Sequence, residues 1–220
     1  MRTRAVTIPV VPDGLPADLF IPDRPVGVVL FAHGSGSSRH SPRNVAVAHA
    51  LNERSLATVL VDLLTPAEDA VDARTAELRF DIGMLAGRLA ATVDWMAGDE
   101  DLGPLPVGLF GASTGAAAAL VAAAARPDRV RAVVSRGGRP DLAGRALTEV
   151  RAPTLLLVGG LDEEVIVLNE QARAELGEIA ELRIVPGATH LFEEPGTLDQ
   201  VAAHAATWFA THLPVPALRR

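Results

Sequence analysis

Five short runs, at residues 26–32, 57–61, 106–111, 130–135 and 154–159, are rich in valine, leucine, alanine and phenylalanine, and segments with helical spacing separate most of them. A strand that is apolar on both faces has to be covered on both faces, which is the condition of a parallel sheet between two layers of helices. The helical segments are expected at 44–54, 78–96, 116–125, 165–176 and 198–212, with a further strand at 182–185. Ahead of them, residues 3–11 and 15–21 alternate around Pro12-Asp13-Gly14, the pattern of an antiparallel hairpin. The expected architecture is a single α/β domain over residues 1–213, its central sheet mostly parallel with an antiparallel start. A chain of 220 residues has room for one such core. The last residues, 214–220, with Pro214, Pro216, Arg219 and Arg220, are expected to fray.

In sheets of this kind chemistry collects just beyond the carboxyl ends of the strands. The residue types available there are restricted. All 20 basic residues are arginine, and the chain has neither cysteine nor tyrosine. That removes Schiff-base lysines, phosphate-loop lysines, thiolate nucleophiles and thiolate metal sites, and leaves Ser, Thr, His and carboxylates. A net charge of −7 speaks against a general nucleic-acid partner. No apolar run reaches the length of a membrane span, and Pro9, Pro12 and Asp13 interrupt any signal-like segment, so a cytoplasmic chain with no membrane partner is expected. No H-E-x-x-H spacing calls for a metal, and no cofactor is expected.

Gly111-Ala112-Ser113-Thr114-Gly115 reads G-x-S-x-G between a strand and an alanine-rich helix. In that setting the turn is tight enough to force the serine into a strained conformation with its hydroxyl exposed, and glycines are needed where helix and strand nearly touch. A serine nucleophile needs a base, and the base needs an acid to orient it. Six histidines compete. His49, His204 and His212 fall in expected helices, His33 ends a strand and His40 lies in a loop. His190 follows the last strand on the loop ahead of the closing helix and is the expected base. Asp162, after the strand at 154–159, is the expected acid; Glu163 and Glu164 are close enough to be alternatives but read as the acidic first turn of the next helix. A developing oxyanion needs preorganised N–H donors. Thr114 N–H is one, and the loop His33-Gly34-Ser35-Gly36-Ser37-Ser38 supplies another, from Ser35 or alternatively Gly36. A dinucleotide-binding reading of Gly34-x-Gly36 fails because Arg39 stands where a third glycine is needed.

Four arginines lie in the same loops, Arg39 and Arg43 near the glycine turn and Arg136 and Arg139 after the strand at 130–135. Arginine forks suit carboxylates and phosphates. One reading is recognition of an anionic substrate; the other is pairing with Asp141, Asp62 or Glu193, or solvation. Only about 18 residues separate the strand at 130–135 from that at 154–159, short for a lid domain. Residues 64–78 remain as a compact cover.

The order Ser113, Asp162, His190, together with His33-Gly34-Ser35-Gly36, resembles an α/β hydrolase. The stretches HGSGSSRHSPRN (33–44), LFGASTGAAAAL (109–120), VVSRGGRPDLAG (133–144) and VPGATHLFEEPG (185–196) are similar to the bacterial dienelactone hydrolase-like family across most of the chain. Some members resemble it only over a hydrolase half joined to a phosphoribosyltransferase half, for which this chain has no length left. It departs from dienelactone hydrolases proper, whose nucleophile is cysteine. The resemblance implies an α/β-hydrolase fold and hydrolysis of a small-molecule carboxylic ester or lactone through an acyl-enzyme. A thioesterase or acyltransferase is the near alternative, and a ligand-binding protein without turnover is the alternative of another class.

Overall fold

The computed structural model describes residues 1–213, so the tail expected to fray at 214–220 lies outside the described residues. Strands β1 (Arg2–Ile8), β2 (Leu15–Ile21), β3 (Gly27–Ala32), β4 (Leu56–Val61), β5 (Val107–Ala112), β6 (Val130–Arg136), β7 (Thr154–Gly159) and β8 (Ala180–Val185) join in one sheet ordered β1-β2-β4-β3-β5-β6-β7-β8. β1 and β2 pair antiparallel with Ile8 opposite Leu15, β2 meets β4 antiparallel, and every pairing from β4 to β8 is parallel. The apolar runs explain this directly. Every residue of β3, β4, β5 and β7 is buried, as strands between two helical layers must be, whereas edge strand β1 buries only Ile8.

Helices α1 (Pro42–Asn52) and α6 (Thr197–His212) cover one face, and their core includes Phe31, Phe110 and Phe209. After α2 (Pro66–Thr75), helices α3 (Ile82–Met96), α4 (Thr114–Ala125) and α5 (Glu163–Leu176) contribute to the opposite face, whose core includes Leu30, Leu109 and Leu156. The alanines of α4 let it lie close on the sheet: a Cβ on Gly115 would sit 2.4 Å from the carbonyl oxygens of Ala32 and His33.

Two expectations are corrected. The periodicity at 78–96 is not one helix: a 3-10 turn at Leu78–Phe80 precedes α3, which starts where the Asp81 side chain accepts from Met84 N–H. The cap offers the backbone an end that apolar spacing alone does not mark. Residues 66–75, read only as a compact cover, form α2. Thr65 and Glu68 cap it reciprocally, and the Glu68 carboxylate is clasped by Arg88 of α3 at 2.6 and 2.8 Å. The 3-10 turns at Pro140–Glu149 fill the short stretch between β6 and β7, against α4 and α5, and make no lid domain.

Candidate active site

The chain leaves β3 for α1, returns through β4, and crosses to β5 on the other side of β3, so β3 and β5 flank the point where the strand order reverses. The glycine loop and Ser113 stand at the carboxyl ends of these two strands. Ser113 has φ 52° and ψ −123°, an uncommon conformation for a residue with a side chain. It survives because the neighbourhood forces it. A Cβ on Gly111 would come within 2.4 Å of Ala116 Cα, so strand and helix touch across the turn. The Ser113 backbone is also held on both sides: its N–H donates to Arg136 O at 3.2 Å, and its carbonyl accepts from Arg139 N–H at 3.1 Å.

Asp162 immediately precedes α5, yet its side chain makes no capping bond. Its carboxylate instead accepts from His190 Nδ1–H at 2.6 Å. A carboxylate only accepts, so Nδ1 carries a proton, and in the neutral ring that leaves the Nε2 lone pair free. That Nε2 faces Ser113 Oγ at 3.4 Å. The His190 loop passes directly over the end of β7, where a Cβ on Gly159 would meet Ala188 O at 2.4 Å. Glu194 fastens the same loop through Thr189 N–H at 3.0 Å and Thr189 Oγ1 at 2.6 Å, and buried Phe192 anchors it. These loop supports were not singled out from sequence, since a Thr–Glu pair five residues apart in a loop carries no period.

On the other side of Ser113, Gly34 approaches so closely that a Cβ there would lie 3.1 Å from Ser113 Cβ. Thr114 opens α4 and its N–H is one of the donors that a helix leaves free. Ser35 N–H, the other expected donor, is given to Thr114 Oγ1 at 2.9 Å, so it reaches an oxyanion only by exchanging that partner. Gly36 turns the loop with φ 66° beneath the Arg79 guanidinium, which buried Asp72 holds at 2.6 Å. His33 secures the start of the loop. Its Nε2 accepts from Leu63 N–H at 3.0 Å, which puts its proton on Nδ1, bonded to Gly34 O at 2.9 Å. Desolvation pushes this imidazole below its ordinary pKa, in keeping with a neutral ring.

The four arginines part company. Arg39 is taken by Asp18 at 3.0 Å and by Asp62, Arg139 by Asp141 at 2.8 and 2.9 Å, and Arg43 by Glu193 at 3.0 Å. Arg136 has none of these. It is 7% exposed, its Nε and Nη1 are buried without a partner, and burial with the nearby Arg43 charge pushes its pKa down to about 10. Arg43 and Arg136 line a cleft of about 230 Å³ with Ser113, His190, Gly34 and Ser35. Arg39 and Arg139, held by Asp18 and Asp141, do not line it. Among the described residues no cluster of three or more His, Asp or Glu is arranged to hold a metal ion, and no described helix is long and apolar enough to cross a membrane.

Comparison with known proteins agrees with this architecture. The model of the dienelactone hydrolase family matches residues 22–212. A crystal structure of a dienelactone hydrolase from Anabaena variabilis is 56% identical, covers 96% of this chain and 98% of its own, and superposes with a TM-score of 0.94. Est1E from Butyrivibrio proteoclasticus shares the fold at 17% identity and TM-score 0.78, over 94% of this chain and 98% of its own. A Mycobacterium tuberculosis protein provisionally named a phosphoribosyl transferase is 54% identical over 216 residues, which are 98% of this chain and 48% of that protein. The chain thus spans about half the length of that relative.

Proposed function

The chain belongs to the dienelactone hydrolase family, and on that premise we propose that it is a serine hydrolase cleaving a small carboxylic ester or lactone through an acyl-enzyme. The observation that carries this reading is the continuous line from Asp162 through His190 to Ser113, with the serine held at positive φ on the N-terminus of α4.

The chemistry follows from the geometry. Ser113 Oγ attacks the substrate carbonyl carbon while His190 Nε2 takes the hydroxyl proton. The 3.4 Å separation is looser than a formed catalytic hydrogen bond, as is common before substrate is bound. Asp162 keeps the imidazole in the needed tautomer and stabilises the imidazolium. The carbonyl π-electrons move to oxygen, and the oxyanion is met by Thr114 N–H and by Ser35 N–H once the latter leaves Thr114 Oγ1. Collapse expels the alkoxide, which receives the proton from His190. Water then gives a proton to Nε2 and adds to the acyl carbon, and collapse breaks the acyl–Oγ bond as Nε2 returns that proton to Ser113 Oγ, releasing the acid. The cleft volume of about 230 Å³ falls below the usual range for drug-sized ligands, which supports a small acyl group.

The test is steady-state hydrolysis of aryl esters graded from acetyl to palmitoyl, beside matched thioesters. Short oxygen esters should give the highest kcat/KM, and Ser113→Ala should remove the activity. Preference for thioesters would move the reading to a thioesterase, and no turnover of any acyl compound by folded protein would contradict it.

A further inference from the structure

Asn169 lies in the second turn of α5 and is 0% exposed. Its Nδ2 donates to Val165 O at 2.8 Å, one turn back in the same helix, and to Gly138 O at 3.0 Å, in the loop that follows β6. Both partners are carbonyl oxygens, so the amide has to present its NH2 group to them. Its Oδ1 is buried with no partner. The helix face that carries it is otherwise apolar, with Val165, Ala172 and Leu176 buried. A wholly buried amide with one end unmet costs stability that an apolar side chain of the same size would not. Asn169 is therefore better explained by what it holds than by how it packs.

What it holds is the turn Arg136-Gly137-Gly138-Arg139. Arg136 O accepts Ser113 N–H and Arg139 N–H donates to Ser113 O, so the two ends of this turn bracket the backbone of the serine. Between them, Gly137 has φ 51° and donates to Leu157 O at 2.7 Å, and a Cβ on it would lie 3.0 Å from His190 O. A Cβ on Gly138 would lie 2.0 Å from Ser135 Oγ and 2.7 Å from Ala116 Cβ. The turn thus packs against β6, the first turn of α4 and the His190 loop at once. Two consecutive glycines are pliable backbone, and among the described residues no backbone N–H is given to Gly138 O. Asn169 supplies that bond, from the helix that begins immediately after Asp162.

We infer that Asn169 is a positioning residue, whose amide locks the turn at 136–139 onto α5 and so fixes Ser113 relative to His190 and Asp162. This rests on the proposed hydrolase reading and deepens it. Ser113 is held at positive φ with its Oγ 3.4 Å from His190 Nε2, and such a conformation persists only where its surroundings over-determine it. A turn released at Gly138 lets the serine backbone relax and carries its hydroxyl off the line to the base. Attack tolerates little displacement of that kind.

Two variants test it. Asn169→Leu removes both hydrogen bonds at similar volume, and Asn169→Thr keeps the bond to Val165 O through its hydroxyl but falls short of Gly138. In both, kcat for a short aryl ester should drop about 10- to 100-fold, the cost of a misplacement near ~1 Å, while KM changes far less. Asn169→Leu should melt close to wild type, because removal of the unmet Oδ1 offsets the lost bonds. Hydrogen exchange of the peptide spanning residues 136–142 should quicken in both variants while the central strands keep their protection. Should Asn169→Leu fail to fold, Asn169→Thr decides. If wild type cleaves no ester, the hydrolase reading fails, and exchange at 136–142 still reports whether Asn169 holds the turn. A lowered Tm with kcat per folded molecule unchanged, a loss confined to KM, or unaltered exchange at 136–142 would each overturn the inference.

Discussion

At the scale of single residues, the candidate site divides into groups that would react and groups that hold them. Asp162 belongs to the second kind. Its carboxylate touches only the far side of the imidazole, at 2.6 Å, and fixes which nitrogen carries the proton. Asp162→Asn keeps the size but lets the side-chain amide donate to Nδ1, which shifts the ring proton to Nε2 and blocks the base. We expect kcat to drop by about four orders of magnitude, with little change in Tm, measured by ester hydrolysis and thermal unfolding of the same preparation. A variant retaining more than a tenth of the activity would mean that another group orients His190. That Ser113, Asp162 and His190 would be brought together was legible in the sequence because each is tied to a local pattern, a strand end followed by a short polar turn. The arginine pairings were legible only as candidates: Asp141, Asp62 and Glu193 were named as possible partners, and they take Arg139, Arg39 and Arg43. Arg43 and Glu193 are 150 residues apart and Arg39 and Asp62 are 23 apart, so whether a guanidinium is satisfied is settled only by tertiary approach. The lack of a partner at Arg136 has no sequence signature at all.

At the scale of elements, the strands were legible and the segment at 64–81 was not. β3, β4, β5 and β7 are buried along their whole length, so composition alone marks them. α2 buries only Asp72, and a helix without an apolar stripe leaves no period to read. What holds it is polar: the Thr65–Glu68 capping box, the Arg88 clasp on Glu68, and Asp72 bonded to Arg79 and to Leu78 N–H. Since Arg79 lies over Gly36, this arrangement buttresses the glycine loop. The Arg88 guanidinium holds the Glu68 carboxyl well below the usual range, at about 2 against 4.5. A depressed carboxylate stabilises the folded state fully above its unfolded pKa, and that contribution is lost as pH falls from about 4.5 to about 2. Glu68→Gln should therefore lower Tm at neutral pH and flatten its fall across that acidic window. Parallel Tm–pH curves for variant and wild type would show that the clasp contributes nothing to stability.

For the whole molecule, the topology concentrates chemistry at one edge. Reversal of strand order at β3 opens a gap between the loops after β3 and β5, β6 borders it with Arg136, and β7 and β8 deliver Asp162 and His190. The short run from β6 to β7 is spent on 3-10 turns against α4 and α5, so no lid domain is inserted there, in line with the sequence expectation. The central claim is that this edge assembles an activated serine. Intact-mass detection of labelling by a fluorophosphonate probe tests it most directly, because the probe reacts with a serine only where base and oxyanion donors are in place. The account expects one adduct per chain in wild type, none in Ser113→Ala, and markedly slower labelling in His190→Ala. Absence of any adduct in well-folded wild type, or equal labelling of Ser113→Ala, would contradict it.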